Sequence, residues 1–157
     1  MEKKQNLSSY DPSTIPYVLG KKIVIVTAEW NFEITSSMRN ACVEILLQYG
    51  ITINDIVDIY VAGSFELPFA AKDSILKHNA DAVICIGCII QGETRHFDFI
   101  AQATANGIMQ AGLETGKPVV FGVLTTNTMQ QAIDRSGGKH GNKGTEAAVT
   151  CLKLLAL

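Results

Sequence analysis

No apolar run in this 157-residue chain approaches the roughly 20 residues needed to cross a bilayer, so a membrane-spanning role is not expected. Positive charge is not in excess either. Thirteen Lys and Arg stand against fifteen Asp and Glu, a formal net charge of -2, where a nucleic-acid partner would favour a basic surplus. The opening MEKKQNLSSYDPSTIPY lacks an apolar segment behind its lysines, so it does not read as a secretory signal, and a cytoplasmic location is the expectation. Cysteine is scarce, at four residues. Cys42 and Cys151 fall on apolar helical faces, where a thiol behaves as a small hydrophobe. Cys85 and Cys88 form a C-x-x-C that invites a redox or zinc reading. They sit inside AVICIGCII, however, where a spacing of three in a strand puts them on opposite faces, and no second pair exists to complete a zinc site.

What is present is an ordinary soluble balance, 47% apolar and 18% charged. The length suits one domain able to bury roughly 70% of its unfolded surface. Residues 1–20 are polar, carry Pro12 and Pro16 and show no period, so they read as an arm, free or docked on a neighbour. Residues 21–157 behave differently. KIVIVTA, from Lys22 to Ala28, is a continuous apolar run, as in a strand covered on both faces. Ile34, Met38, Ala41, Cys42, Ile45, Leu46 and Tyr49 then recur at helical spacing until Gly50.

Three more such cycles follow. Ile56 to Val61 alternates like an edge strand, and Leu67, Ala70, Ala71, Ser74, Ile75 and His78 mark a helical face. Ala82 to Ile90 is a third strand, ahead of a long helix whose face runs from Phe97 to Ala111. Val119 to Leu124 is a fourth, followed by a short helix near Met129 to Arg135 and a last one with Ala147, Ala148, Cys151, Leu154 and Leu155 inward. The alternation predicts a four-stranded parallel sheet between helices, a flavodoxin-like three-layer α/β/α sandwich with strand order 2-1-3-4.

In such sheets ligands bind beyond the carboxyl ends of the strands. The residues expected there are Glu29-Trp30-Asn31, Gly63-Ser64-Phe65-Glu66, Gln91 to His96, and Thr125-Thr126-Asn127. Two aromatic rings, hydroxyls, a carboxylate and a histidine suit a flat, polar heterocycle. Gly92-Glu93-Thr94 is expected to open a helix whose amides and dipole would favour a phosphate. His96, in the first turn, carries an imidazole that could transfer protons, or it could be a plain surface or capping histidine. Arg135 to Gly144 concentrates cations in a glycine-rich turn. No G-x-x-x-x-G-K-[ST] fits it, which leaves either a solvated turn or a phosphate clamp with Arg135 as a planar fork.

These segments, in order, resemble the lumazine synthase family. The similarity runs through VTAEWN, AGSFELPFAAK, ADAVICIGCIIQGETRHFDFI, KPVVFGVLTTNTMQQAIDRSGG and KHGNKGTEAA, from Trp30 onward over about four-fifths of the chain. The resemblance implies that Trp30 stacks on a pyrimidine ring, and that Ser64, Phe65 and Glu66 hold the ring and its ribityl chain. It implies that Cys88, Ile89 and Ile90 meet the uracil mainly through backbone, and that Glu93 and Thr94 begin the phosphate-binding helix. His96 matches the proton-transfer residue, Arg135 the phosphate-binding arginine, and Phe121 and Lys143 the residues lent by a neighbouring subunit. From the residues alone Phe121 looks like core. Gln91 departs from a residue often basic in relatives, and Ser64 from a common Gly or Ala.

The resemblance also implies a reaction without metal or organic cofactor. 5-Amino-6-(D-ribitylamino)uracil and 3,4-dihydroxy-2-butanone 4-phosphate would condense to 6,7-dimethyl-8-ribityllumazine, releasing phosphate and water, as the penultimate step of riboflavin biosynthesis. It implies pentamers with sites between subunits. The compact GGKHGNKG turn is similar to that of relatives that close into a 60-subunit icosahedral shell, and riboflavin synthase is a candidate partner. Two competing readings are a non-catalytic flavin-binding shell and an unrelated phosphate-binding module.

Overall fold

The computed structural model describes residues 6–157. The expectation of an arm over residues 1–20 therefore falls outside the described residues in its first five positions. The four strands are β1 (Ile23–Ala28), β2 (Ile56–Val61), β3 (Ala82–Ile90) and β4 (Val119–Thr126), and they form one parallel sheet in the order β2-β1-β3-β4. This is the expected flavodoxin-like order. All six residues of β1 are buried, while β2 alternates, as befits an edge strand with one neighbour. Ile23 stands opposite Ile56 on one side and Ala82 on the other, and Ile90 of β3 pairs with Thr126 at the far tip.

Helices α1 (Phe32–Gln48) and α2 (Leu67–His78) follow the first two strands, and α3 (His96–Thr115) and α4 (Met129–Arg135) the next two. A small antiparallel hairpin, β5 (Ser136–Gly138) with β6 (Gly141–Asn142), leads into α5 (Lys143–Leu155). Alternate side chains of the sheet feed two cores. Ile23, Ile25, Ile84 and Ile86 meet Met38 and Leu46 of α1 and Leu152 of α5. On the other face Val24, Val26 and Val83 meet Leu67 and Ala71 of α2 and Ile108 of α3. Burying each such side chain contributes on the order of 1.5–3 kcal/mol, so both faces of the sheet are committed to helices.

Two inward assignments change. His78 is exposed, because α2 ends there and Asn79 turns away in the left-handed conformation. Leu152 rather than Leu154 is fully buried on α5; Leu154 is exposed, and Leu155 packs against the core's edge. The cysteines are free and buried. Cys85 belongs to the core under α2 and α3 and Cys88 to the opposite one, so the two cannot share a metal or a disulfide. Burial pushes the Cys85 and Cys88 thiols up to about 12 and about 11. Neither is poised as a thiolate.

The segment before β1 packs on its own chain. Ile15 and Val18 enter the core beneath α1, and the Val18 N–H donates to the Tyr49 carbonyl at 2.9 Å. Gly50, at φ 104°, makes this possible, since a Cβ there would fall 2.6 Å from the Val18 carbonyl oxygen. A segment docked through such scattered contacts carries no helical or strand period, which is why its pattern alone suggested only an arm.

Candidate active site

The carboxyl tips of β1, β2 and β3 meet where the chain reverses its direction across the sheet, the place where such folds form a crevice. Past the end of β1 the parallel pairing continues for two residues. The Glu29 N–H donates to the Val61 carbonyl at 2.8 Å and the Trp30 N–H to that of Ala62 at 3.1 Å. Asn31 then takes a left-handed conformation at φ 59°, and its Nδ2 donates to the Cys88 carbonyl at 3.1 Å. That turn carries the Trp30 indole over Gly63, where a Cβ would come within 2.8 Å of the ring.

After β2, Ser64–Glu66 form a single tight turn. The Glu66 carboxylate reaches back to accept the Gly63 N–H at 3.0 Å through one oxygen. Ser64 is buried against Gly87 of β3, whose missing side chain leaves room for the hydroxyl. Trp30, Ser64, Phe65, Glu66, Cys88, Ile89, Ile90 and His96 together line a cleft of about 390 Å³, within the range of small-molecule sites. Trp30 is 68% exposed and Phe65 57%, a large apolar area left facing water at the cleft. Asn31 and Ile100 complete the lining. Asn31 was among the residues expected past β1, and it is a residue type that tolerates the left-handed turn; Ile100 had stood out only as part of a helical face.

The expected helix start at Gly92 needs correction. Helix α3 begins at His96, not at Gly92, with Arg95 at its cap position. Gly92, Glu93 and Thr94 form a bend instead, in which Gln91 Nε2 donates to the Gly92 carbonyl at 3.0 Å. The Thr94 hydroxyl accepts the His96 N–H at 3.3 Å, taking one of the amides an anion would use. Glu93 and Thr94 are exposed and lie outside the lining of this cleft.

The cations gather elsewhere. Phe121, Arg135 and Lys143 line a second cleft of about 650 Å³ with Leu7, Lys139 and His140, and it shares no residue with the first. Phe121 is not core; it is 37% exposed, on the outer side of β4. Arg135 donates to Glu146 Oε1 at 3.0 Å, and Lys143 Nζ lies 2.8 Å from the other oxygen of the same carboxylate. Beside them Asp134 is held below the ordinary carboxylate range, chiefly by the Gln130 amide and then by Lys139. So the structure groups Arg135 with Phe121 and Lys143, and places His96 with the aromatic rings. Glu146 escaped the sequence reading, its signal being only a carboxylate three residues after Lys143 on one helix. Among the described residues no cluster of three or more His, Cys, Asp or Glu is arranged to hold a metal, and no helix is long and apolar enough to cross a membrane.

A sequence profile of 6,7-dimethyl-8-ribityllumazine synthase matches residues 20–157. Proteins of that name from Cytophaga hutchinsonii and Porphyromonas gingivalis are 53% and 47% identical over 152 residues, each alignment covering 97% of this chain and 95% and 94% of the relative. The Flavobacterium johnsoniae protein of the same name is 49% identical over 150 residues, covering 96% of this chain and 79% of its own.

Proposed function

The chain belongs to the 6,7-dimethyl-8-ribityllumazine synthase family, and from that footing we propose how its two clefts divide the work. The enzyme condenses 5-amino-6-(D-ribitylamino)uracil with 3,4-dihydroxy-2-butanone 4-phosphate to the lumazine of the family name, the penultimate step of riboflavin biosynthesis. The 5-amino group adds to the ketone and loses water to give an imine. Loss of the neighbouring C3 proton then expels phosphate with its bonding electrons. The enol left behind becomes a ketone, and the ribityl-bearing nitrogen adds to that ketone and closes the ring with loss of a second water.

In this reading Trp30 and Phe65 sandwich the pyrimidine against the tips of β1 and β2, while Ser64 and the free oxygen of Glu66 hold the ribityl hydroxyls. The backbone of Cys88, Ile89 and Ile90 meets the uracil edge. His96, at the mouth of the same cleft, carries the protons that the imine and the ring closure exchange. Arg135, Lys143 and Phe121 act on the butanone phosphate held by an adjoining chain, with Glu93 and Thr94 near its other side. The observation behind this division is that stacking rings and cations line two clefts with no common residue. One chain then holds half a site, and two chains brought edge to edge hold a whole one. Register between the two reactants can contribute up to roughly 7–11 kcal/mol without any cofactor.

The assembly we propose is a pentamer in the cytoplasm. The short hairpin around Gly137–Gly144 leaves room for twelve pentamers to close into a 60-subunit shell, with riboflavin synthase as a partner. Light scattering at neutral pH reads the assembly directly. The chemistry is tested by mixing both substrates and following lumazine absorbance and free phosphate. Arg135→Ala should raise the KM for the butanone phosphate about 10- to 100-fold, the value of a charged hydrogen bond, and leave that for the uracil nearly unchanged. His96→Ala should slow turnover about 10²- to 10⁴-fold. Equal effects of Arg135→Ala on both substrates would remove it from the phosphate.

A further inference from the structure

Residues 6–9 lie across the glycine-rich hairpin that joins Arg135 to Lys143. The Leu7 N–H donates to the His140 carbonyl at 3.0 Å, and Leu7 forms part of the wall of the cation cleft. The Ser8 N–H turns onto the Asn6 side chain at 2.9 Å, and Ser8 itself is buried. Gly141 stands beneath them at φ 92°, where any Cβ would run into Asn6 and into Ser8. The hairpin thus has a seat cut for this segment.

At the centre of the seat the Ser8 hydroxyl donates to Glu146 Oε1 at 2.7 Å. That oxygen also accepts from Arg135 at 3.0 Å, while Oε2 takes Lys143 at 2.8 Å. One carboxylate therefore orients both cations, and its own orientation is fixed by a residue 138 positions away in the chain. A carboxylate with two cationic partners on flexible stems can swing between rotamers. A third, rigidly held donor removes that freedom.

We propose that Ser8 is a positioning residue for the anion clamp, and that residues 6–9 are the strap that fastens Arg135 and Lys143 in the geometry that takes the phosphate of the four-carbon substrate. The inference rests on the assignment of Arg135 and Lys143 to phosphate. Ser8 touches no reactant in this scheme; it acts through Glu146. Its loss loosens the cations and leaves the ring cleft, where none of these residues lies, as it was.

The test uses the full-length enzyme with Ser8→Ala, Ser8→Thr and Arg135→Ala. Ser8→Ala should raise the KM for the butanone phosphate and the inhibition constant of inorganic phosphate together, each about 5- to 10-fold, as expected when a hydrogen bond that orders a charged pair is lost. The KM for the uracil should stay within about twofold, and Ser8→Thr, which keeps the hydroxyl, should restore most of the loss. A Ser8→Ala enzyme with both phosphate constants unchanged, or with both substrates affected alike, overturns the strap. If Arg135→Ala weakens phosphate and Ser8→Ala does not, the strap alone is wrong. If Arg135→Ala also leaves phosphate binding intact, the clamp assignment fails first and takes the strap with it.

Discussion

Gly63 shows how a missing side chain can shape a cleft wall. Its φ of -143° is extended backbone that any residue can adopt, so its identity is not set by conformation. A Cβ there would lie 2.8 Å from the Trp30 ring and 3.2 Å from the Glu66 carboxylate. Gly63→Ala should therefore push the indole off its seat while the fold persists. Stacking is worth about 0.5–1.5 kcal/mol beyond area, so the KM for the uracil should rise up to about tenfold, with the melting temperature little moved. Trp30 is the sole tryptophan of the chain, and its emission reads the event directly. Ligand quenching should be smaller in Gly63→Ala than in the parent. Undiminished quenching with unaltered affinity would mean the ring does not depend on that contact.

Among the elements, α1 and α5 cross so closely that Gly144, the second residue of α5, sits on the Met38 backbone. A Cβ at this position would fall on the Met38 carbonyl oxygen. Alanine is the better helix former by about 1 kcal/mol, but backbone cannot yield as a flexible side chain can, and overpacking costs about 1–3 kcal/mol or more. The clash should prevail. Gly144→Ala is expected to lower the melting temperature by about 2–4 °C per kcal/mol lost, and a rise would refute the crossing. Elements of this kind were legible where their pattern was local. β1 to β4 and α1 announced themselves through their apolar runs and periodicity. The start of α3 did not, because the bend at Gly92–Thr94 is held by side-chain bonds from Gln91 and Thr94 that leave no periodic trace. The hairpin β5–β6 has no apolar residue to pattern, and the seat for residues 6–9 joins positions far apart in the chain. Most candidate site residues stand at strand tips, as expected. Which of them share a cleft is tertiary information, and that is where Arg135 parted from His96.

At the scale of the whole molecule, the outer face of α2 and α3 leaves Phe69, Leu76, Phe99 and Leu113 each more than half exposed. Large apolar side chains left facing water on one face are what the assembly proposed above would cover. The separation of rings from cations then has a genetic consequence. His96→Ala damages only the first cleft and Arg135→Ala only the second, so the two lesions should complement one another. Co-assembled in equal amounts, the two crippled proteins should form hybrid rings in which about a quarter of the junctions pair an intact His96 with an intact Arg135. Neither parent alone has any such junction. Recovery of about a quarter of the wild-type rate on mixing would show two partial enzymes lending each other what each lacks; hybrids as inert as their parents would mean that the clefts never meet.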